Sequence, residues 1–459
     1  MDKWLSAALD YLPRWVEHQM RLVEQPGCAI AAVHKGKVVL DVALGLADQR
    51  RGTPLTPRHR GRVASHSKSF TAAGVMRLWD EGRLALDDPV GAYVDGLHPQ
   101  VAQATLAQLL SHGAGLVRDG ADAGQWAERR PFLDDGELRA ALALAPTITA
   151  NTRFKYSNHG YGLVGLAIEA VTGEPYKDWI AREIVAASGL EETTPDVPLA
   201  RDTPFAHGHS SRLPLGRRVV VPARVSTHAL AAATGFVSTA ADLARFFASL
   251  APEARRSVLS PAARREMSRR HRRDSATAVD RGYGLGVFTA TTSGWDWFGH
   301  SGAFPGTLSR TVVVPSLQLS LSMIANAADG PAQQLVDGAL HLLEVFARHG
   351  AASRRTAPWC GRWWGAAGAF DLLPMAGRVL VANPSLASPL LDASEIVPGA
   401  TGRDGTRHGL IANAPGLMSH GEPARVDYDG RGRAKAVWLG GMKLVPEAAL
   451  ARELAARYD

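Results

Sequence analysis

The first stretch of the chain carries apolar residues at helical spacing. These residues are Trp4, Leu5, Ala8, Leu9, Leu12, Trp15 and Val16. Steps of three and four residues are typical of an amphipathic helix with one buried face. Two apolar runs rich in β-branched residues follow at 28–33 and 37–46, with His34-Lys35-Gly36 between them. This pattern predicts a β-hairpin.

Helical patterns dominate the middle of the chain, from residue 65 to about residue 267. Strand patterns then return, and one more helix is predicted at about 331–348. The later strands are predicted at 283–289, 295–299, 308–314 and 317–324. Strands at both ends of a helical region favour one antiparallel sheet, flanked by helices and carrying a large helical insert. We therefore predict an α+β fold and not a doubly wound parallel sheet.

A segment of small, polar and basic residues at 349–358 precedes a tail of different character. The tail contains short strand-like runs broken by turns, at 362–370, 378–381, 425–428 and 436–439. This pattern predicts a small all-β barrel or sandwich, filled by its own side chains rather than by a ligand. We expect two domains, at residues 1–350 and 351–459.

Composition and charge narrow the class of protein. Hydrophobic residues make up 46% and charged residues 21% of the 459 positions, as in ordinary globular proteins. The net charge of +7 comes from scattered arginines without a zinc finger or RNA-recognition motif, so we expect no nucleic-acid partner. An acidic residue, Asp2, stands where a signal peptide would be basic, and no run of eighteen apolar residues exists. We expect a cytoplasmic protein with no membrane partner, and core thiols at Cys28 and Cys360.

The segment Ser65-His66-Ser67-Lys68 says most about chemistry. Ser65 and Lys68 are three residues apart, so on a helix their side-chain tips can meet. Helical winding aligns Lys68 with the apolar Ala72 and Val75 and places His66 on the opposite, solvent-facing side. Burial lowers the pKa of a lysine, and the resulting neutral amine can accept the proton of a serine nucleophile. The alternative is a lysine whose aliphatic stem extends past the core to solvent.

Two further polar segments lie downstream. Tyr156-Ser157-Asn158 precedes a helix predicted to begin near His159, and extended backbone would present the phenol and the amide to one pocket. Taken alone, this pattern favours an asparagine that caps the helix beside a packed tyrosine. The segment 299–303, Gly-His-Ser-Gly-Ala, nearly matches the nucleophile elbow of α/β-hydrolases. That elbow must lead into a helix, whereas a β-branched run follows here.

No cofactor and no metal are expected. Gly282-x-Gly284-x-Gly286 lacks the last spacing of a dinucleotide-binding loop, and no Gly-Lys-Ser/Thr phosphate loop is present. His207-Gly208-His209 has no acidic or cysteine partner at metal-ligand spacing.

Together these segments resemble the motifs of the serine β-lactamase and penicillin-binding-protein superfamily, in the branch of class C β-lactamases, esterases and D-aminopeptidases. Ser65-His66-Ser67-Lys68 matches the first motif and Tyr156-Ser157-Asn158 the second. His300-Ser301-Gly302 stands where lactamases carry Lys-Thr-Gly. Framing segments at 84–90, 109–116, 238–243 and 282–286 agree with the family, so the resemblance covers about residues 25–345. It implies the β-lactamase/transpeptidase-like fold, and the tail resembles the lipocalin-like barrel appended to some members.

The resemblance implies catalytic roles for three side chains. Ser65 would be the acylated nucleophile, and Lys68 would accept its proton. Tyr156 would be the second base, which also protonates the leaving group and later activates the incoming water or amine.

The resemblance also implies a supporting shell. Asn158 would orient the lysine and the substrate amide, and His300 would line the opposite wall and form a hydrogen bond near Tyr156. Gly302 would avoid a side chain that obstructs the substrate. The backbone N–H groups of Ser65 and Ala303 would form the oxyanion hole, and a serine at a helix start does place its own amide at the positive end of the helix dipole.

His300 also bears on the substrate. A histidine is mostly uncharged near neutral pH, so it holds a substrate carboxylate less firmly than the lysine of lactamases. This disfavours a β-lactamase or a D,D-carboxypeptidase. We expect a serine hydrolase of the esterase or D-aminopeptidase type, acting through an acyl-enzyme on a small ester, amide or short peptide. Two alternatives stay open, an acyltransferase or peptide cyclase and a non-catalytic sensor module, and so does the oligomeric state.

Overall fold

The computed structural model describes residues 1–403, 405–413 and 415–458. Contacts divide the chain into two compact units, Gln25–Val336 and a second unit that combines Met1–Glu24 with Asp337–Asp459. The sequence patterns did not indicate that the N-terminal helix groups with the tail. The domain boundary expected after residue 350 stays a prediction.

Helices and strands follow each other along the whole described chain. The helices are α1 Lys3–Leu22, α2 Ser67–Asp80, α3 Pro99–Ala102, α4 Leu106–Leu110, α5 Asp135–Leu142, α6 Asn158–Thr172, α7 Tyr176–Ile180, α8 Ala240–Ser249, α9 Pro261–Ser268, α10 Ala332–His349 and α11 Glu447–Tyr458. Short 3-10 segments lie at Ala64–His66, Val90–Ala92, Gly124–Ala127, Leu213–Leu215, His228–Leu230 and Pro315–Leu317, and π-helical segments at Ala181–Ala186 and Ala231–Gly235.

The strands of the larger unit are β1 Gly27–His34, β2 Lys37–Asp48, β3 Thr53–Pro54, β4 Gly61–Arg62, β5 Gly208–His209, β6 Val220–Val221, β7 Val237–Ser238, β8 Arg272–Arg273, β9 Arg281–Tyr283, β10 Phe288–Thr292, β11 Trp295–Phe304, β12 Thr307–Val314 and β13 Leu319–Ala325. Nine of them form one antiparallel sheet in the order β3-β2-β1-β13-β12-β11-β10-β9-β8. The predicted α+β fold, with strands from both ends of the region in one sheet, is confirmed.

The centre of this sheet is covered on both faces. Every residue of β1 and of β13 is buried, and α8 packs against both strands. Strands buried on both faces are continuous apolar runs rather than alternating ones, which is why β1 consists largely of small and branched apolar residues. α2 packs against α6, α9 and the π-helical segment Ala231–Gly235.

Two strand predictions need correction near the later motif. The strand predicted to end at Gly299 continues to Phe304, so the whole His300-Ser301-Gly302 motif lies inside β11. The strand predicted at 283–289 is interrupted between β9 and β10. Gly284 approaches the backbone there, since a Cβ at this position would lie 2.0 Å from the Met267 carbonyl oxygen.

The smaller unit contains an eight-stranded antiparallel sheet in which each strand pairs with the next. Its strands are β14 Gly361–Gly365, β15 Gly368–Pro374, β16 Val379–Ala382, β17 Ser394–Thr401, β18 Arg407–Asn413, β19 Pro423–Tyr428, β20 Ala434–Leu439 and β21 Met442–Leu444. Two backbone hydrogen bonds between Trp364 and Val445, at 2.8 and 2.9 Å, bring the first and last strands together in a nearly closed barrel. Its interior is filled by apolar side chains, among them Trp359, Ile396 and Val437.

Two details of this unit differ from the expectations. The terminal helix α11 was not predicted from the pattern of the tail. Cys360 is exposed, so only Cys28 is a core thiol. Among the described residues, no helix combines the length and the apolar character that a membrane span requires.

Candidate active site

Ser65 lies on the 3-10 segment Ala64–His66, which leads directly into α2. The Ser67 hydroxyl donates to the Ala64 carbonyl at 2.5 Å and accepts from the Phe236 backbone N–H at 3.0 Å, and these bonds hold the turn. Ala64 has φ +46°, a left-handed conformation that is uncommon for residues other than glycine. Such backbone strain often occurs at functional sites.

Lys68 lies wholly inside the protein, with no exposed surface. Its Nζ lies 2.7 Å from the Asn158 Oδ1, 2.8 Å from the Ala233 carbonyl oxygen and 3.3 Å from the Ser65 Oγ. Burial holds the pKa of Lys68 well below its usual range, while the nearby Asp119 acts in the opposite direction. The structure therefore brings the serine and a desolvated amine together, and the surface-lysine alternative is wrong.

The prediction that His66 faces solvent is wrong. His66 is fully buried, because the sheet covers the side of this helix start that the helical pattern assigned to solvent. Its Nδ1 lies 3.0 Å from the Val63 carbonyl oxygen, and its Nε2 lies 3.0 Å from the Thr311 Oγ1 on β12. Burial lowers the pKa of His66 to about 3, so this imidazole is neutral.

Tyr156 and Asn158 both reach this site. Ser157, rather than Asn158, caps α6, since its Oγ accepts from the Gly160 N–H at 2.8 Å. The interpretation of Asn158 as a cap is therefore wrong, and its amide is free to bind Lys68. The Tyr156 side chain is hydrogen-bonded to Ser65, and its ring centre lies 4.7 Å from the Lys68 Nζ. Burial raises the pKa of Tyr156, so its phenol stays protonated at neutral pH.

Asp119 is a component of the site that the motifs did not reveal. Its Oδ1 accepts from the Asn158 Nδ2 at 2.6 Å and from the Trp126 Nε1 at 3.1 Å. The Asn158 amide group is thereby oriented with its NH₂ toward Asp119 and its oxygen toward Lys68. The only signal in the sequence is position, because Asp119 follows the framing segment 109–116 closely. Nothing local distinguishes it from other loop carboxylates.

His300 is buried against Tyr283 rather than bound to Tyr156. Its Nδ1 donates to the Ser301 carbonyl at 2.7 Å, so its Nε2 accepts from the Tyr283 hydroxyl at 2.9 Å. Burial, together with the nearby His66 and Lys68, keeps the pKa of His300 well below its usual range. Tyr283 was part of a framing segment in the sequence, where it had no assigned role.

Gly302 allows β11 to pass directly beside the Ser65 turn. A Cβ on Gly302 would lie 2.0 Å from the Val63 carbonyl oxygen and 2.6 Å from the Ser309 Oγ. A side chain at position 302 would therefore collide with the backbone of the Ser65 turn, and the expected role of Gly302 in leaving space for substrate stays a prediction.

The edge of β11 next to this contact is open. β10 pairs with β11 only as far as Gly299, while β12 pairs along the other edge to Phe304 and Thr307, which flank a two-residue turn. Hydrogen-bonded and non-hydrogen-bonded pairs alternate in an antiparallel ladder. Because the pair that closes a two-residue turn is hydrogen-bonded, Ala303 belongs to a non-hydrogen-bonded pair. Its N–H therefore points away from β12, into the open edge, as an oxyanion hole requires.

An aromatic cluster adjoins Ala303. The Phe304 ring stacks on Phe132 with centres 5.8 Å apart, and Trp126 meets Phe132 edge-on at 5.2 Å. Phe132 and Phe304 are buried, and Trp126 is half-buried. This arrangement gives the site an apolar wall on the side of Asp119, because Trp126 also donates to that carboxylate. Within the described residues, no group of three or more His, Cys, Asp or Glu side chains is placed to hold a metal ion.

Two known proteins share part of this sequence. Protein flp of Staphylococcus aureus strain MW2 is 29% identical over 183 residues, which are 39% of this chain and 36% of that protein. Esterase EstB of Burkholderia gladioli is 31% identical over 186 residues, 37% of this chain and 46% of the esterase. The chain thus aligns with less than half of the length of either relative.

A solved structure extends the similarity. The D-stereospecific amidohydrolase from Streptomyces sp. superposes with a TM-score of 0.60 and 26% identity, over 74% of this chain and 98% of that protein. The Beta-lactamase family model matches residues 12–346, which contain Ser65, Lys68, Tyr156, Asn158 and His300. Because this match spans well over half of the sequence, the chain belongs to the beta-lactamase family.

Proposed function

We propose that this chain is a serine hydrolase that cleaves esters and small amides, including amides of D-amino acids, through an acyl-enzyme at Ser65. The observation that carries the proposal is the environment of the Lys68 amine. Two of its three neighbours, the Asn158 Oδ1 and the Ala233 carbonyl oxygen, can only accept hydrogen bonds. A neutral amine has two N–H groups, and these two acceptors use both.

The lone pair of that amine is then left for the third neighbour, the Ser65 Oγ at 3.3 Å. In the first step, Lys68 takes the hydroxyl proton while the Oγ attacks the substrate carbonyl carbon. The oxygen of that carbonyl gains negative charge and is stabilised by the N–H groups of Ser65 and Ala303.

Tyr156 handles the group that leaves. Because its phenol is protonated, it can donate its proton to the departing alcohol or amine as the acyl–oxygen or acyl–nitrogen bond breaks. The phenolate regains a proton from the Lys68 ammonium, which restores both groups. In the second step, Tyr156 passes its proton to Lys68 and takes one from the incoming water as the water oxygen attacks the acyl carbon. Lys68 then returns a proton to the Ser65 Oγ as the bond to the acyl carbon breaks and the acid is released.

The names of two similar proteins support cleavage of both ester and amide bonds. EstB is named an esterase, and the Streptomyces protein is named a D-stereospecific amidohydrolase. The neutral, buried His300 offers no positive charge at the position where lactamases carry a lysine, which disfavours β-lactam substrates held at that position by their carboxylate.

Turnover of matched substrates tests the proposal. We expect repeated turnover of 4-nitrophenyl acetate and faster release of ammonia from D- than from L-phenylalanine amide. Ser65→Ala should abolish both activities. An acylating phosphonate probe should add its mass to the peptide that contains Ser65. Retained turnover in Ser65→Ala would contradict the assignment, and release of a single equivalent without turnover would favour the sensor alternative.

A second measurement separates hydrolysis from acyl transfer. A D-phenylalanine ester is incubated with and without an added amine, and the free acid and the amide product are quantified. Predominance of the free acid in the presence of the amine supports a hydrolase. Predominance of the amide would favour an acyltransferase or cyclase with the same acyl-enzyme chemistry.

A further inference from the structure

We propose that Arg118 determines specificity by binding a carboxylate carried by the leaving group, or by the incoming acceptor, of the reaction at Ser65. This inference rests on the proposed function, because it assigns substrate chemistry to the same site. Arg118 belongs to none of the three sequence motifs, and it lies on the loop that also supplies Asp119.

The guanidinium of Arg118 lies against the ring of Tyr156. Its Cζ is 5.3 Å from the centre of that ring, and the Tyr156 side chain is hydrogen-bonded to Ser65. The Arg118 Nε donates to the Asp119 Oδ2 at 3.0 Å, and this bond fixes the direction of the side chain. A cation is therefore held beside the reacting serine and not on a remote surface.

The outer edge of this guanidinium is open to a ligand. The Arg118 side chain is 64% exposed, whereas that of Asp119 is only 10% exposed. Since the Nε is engaged, the two terminal nitrogens form the exposed edge, and they donate to no acceptor in the described part of the chain. Two parallel N–H groups match the two oxygens of a carboxylate.

Asp119 does not remove this binding capacity. Its Oδ1 accepts from Asn158 and Trp126 inside the protein, and only its Oδ2 accepts from the Arg118 Nε. The other basic groups of the site cannot replace Arg118. Lys68 and His300 are fully buried, and burial favours the neutral form of each.

The position beside Tyr156 decides which part of the substrate is recognised. Tyr156 protonates the leaving group in the proposed mechanism, and the acceptor of the second step enters where the leaving group departed. A carboxylate on either molecule would therefore meet the Arg118 edge.

A pair of aryl esters tests the leaving-group form of the proposal. 3-Carboxy-4-nitrophenyl acetate and 3-carbamoyl-4-nitrophenyl acetate share one acyl group and differ in the charge of the leaving group. We divide kcat/KM for the carboxy ester by kcat/KM for the carbamoyl ester. This ratio should fall about tenfold in Arg118→Gln, an estimate for an exposed, partly screened charge-assisted pair. Arg118→Glu should lower the ratio further, and Arg118→Lys should lower it less. The matched control is Arg129→Gln, an exposed arginine of the same loop, which should leave the ratio unchanged.

Salt provides a readout that a structural role would not give. The preference for the carboxylate ester should weaken as ionic strength rises in the parent protein and should be insensitive to salt in Arg118→Gln. For the acceptor form, the ratio of acyl transfer to glycine and to glycinamide is compared between the same proteins. If Arg118→Gln lowers only the glycine-to-glycinamide ratio, the recognised carboxylate belongs to the acceptor. If it lowers only the ester ratio, the carboxylate belongs to the leaving group.

The proposal and the proposed function fail in different ways. Equal ester and amine ratios in the parent and in Arg118→Gln would overturn the role of Arg118, even if the absolute rates fall. Such a uniform fall is what an effect through the pKa of Lys68 alone would give. If neither ester is turned over and Ser65 is not acylated, the proposed function fails, and the role of Arg118 fails with it.

Discussion

Gly302→Ala tests the oxyanion geometry, because it adds one carbon atom where β11 passes the Ser65 turn. That carbon would lie 2.0 Å from the Val63 carbonyl oxygen. The closest tolerable carbon–oxygen contacts are about 3.3 Å, so the strand and the turn must separate by about 1 Å. The contact is with backbone, and no side-chain rotation can relieve it.

The expected loss of kcat/KM follows from the backbone N–H groups on the Ser65 turn and on β11. Ser65 follows one side of the contact and Ala303 follows the other, so the separation would widen the proposed oxyanion hole. A misplacement of 1 Å costs about a hundredfold in rate, and loss of one oxyanion donor costs about a hundredfold to a thousandfold. We therefore expect kcat/KM to fall by at least about a hundredfold, with Ser65 and Lys68 still in contact.

The assay is the acylation rate with 4-nitrophenyl acetate, together with the melting temperature from circular dichroism. Gly136→Ala in α5 is the matched control, since its added carbon would meet no atom closer than 3.4 Å. This control should keep the parent rate. If Gly302→Ala keeps kcat/KM within about threefold of the parent while its folded structure is intact, the oxyanion hole does not lie at this strand edge.

Three further predictions concern protons. The acylation rate should rise with pH through the lowered pKa of Lys68 and then level off, because the neutral amine is the active form. A pH–rate profile without this rise over the range in which the protein stays folded would contradict Lys68 as the base. Asp119 raises and Arg118 lowers the pKa of Lys68, so Asp119→Asn should move the rising part of the pH–rate profile to lower pH and Arg118→Gln should move it to higher pH. Shifts of both profiles in the same direction would refute this. The pKa of His66 is about 3 in the folded protein and about 6.5 in the unfolded chain. Between these values only the unfolded chain binds the proton, so the free energy of unfolding should fall as the pH drops from 6.5 to 3. Its share at pH 4 is about 3 kcal/mol, and urea unfolding at pH 7 and pH 4 should show that much less pH dependence in His66→Asn than in the parent.

The sequence by itself indicated the class of fold, the family and the residues of the proposed site. The strand patterns at both ends of the helical region predicted one antiparallel sheet, because alternation and apolar runs report burial within a single element. The spacing of Ser65 and Lys68 predicted their contact, because three residues on a helical turn bring two side chains together whatever surrounds them. The order of the three motifs identified the family for the same reason, since each motif is local.

Only the tertiary structure decided what surrounds these residues. Ala233 and Asn158 approach Lys68 from 165 and 90 residues away, and a backbone carbonyl leaves no trace in a sequence. A helical wheel of residues 65–80 shows two faces, but it does not show that distant strands cover the face with His66. Likewise, β10 stops pairing with β11 at Gly299, and this end point decides that no strand covers the Ala303 N–H. Such contacts between remote segments are set by how whole elements pack, and no local pattern of residues encodes them.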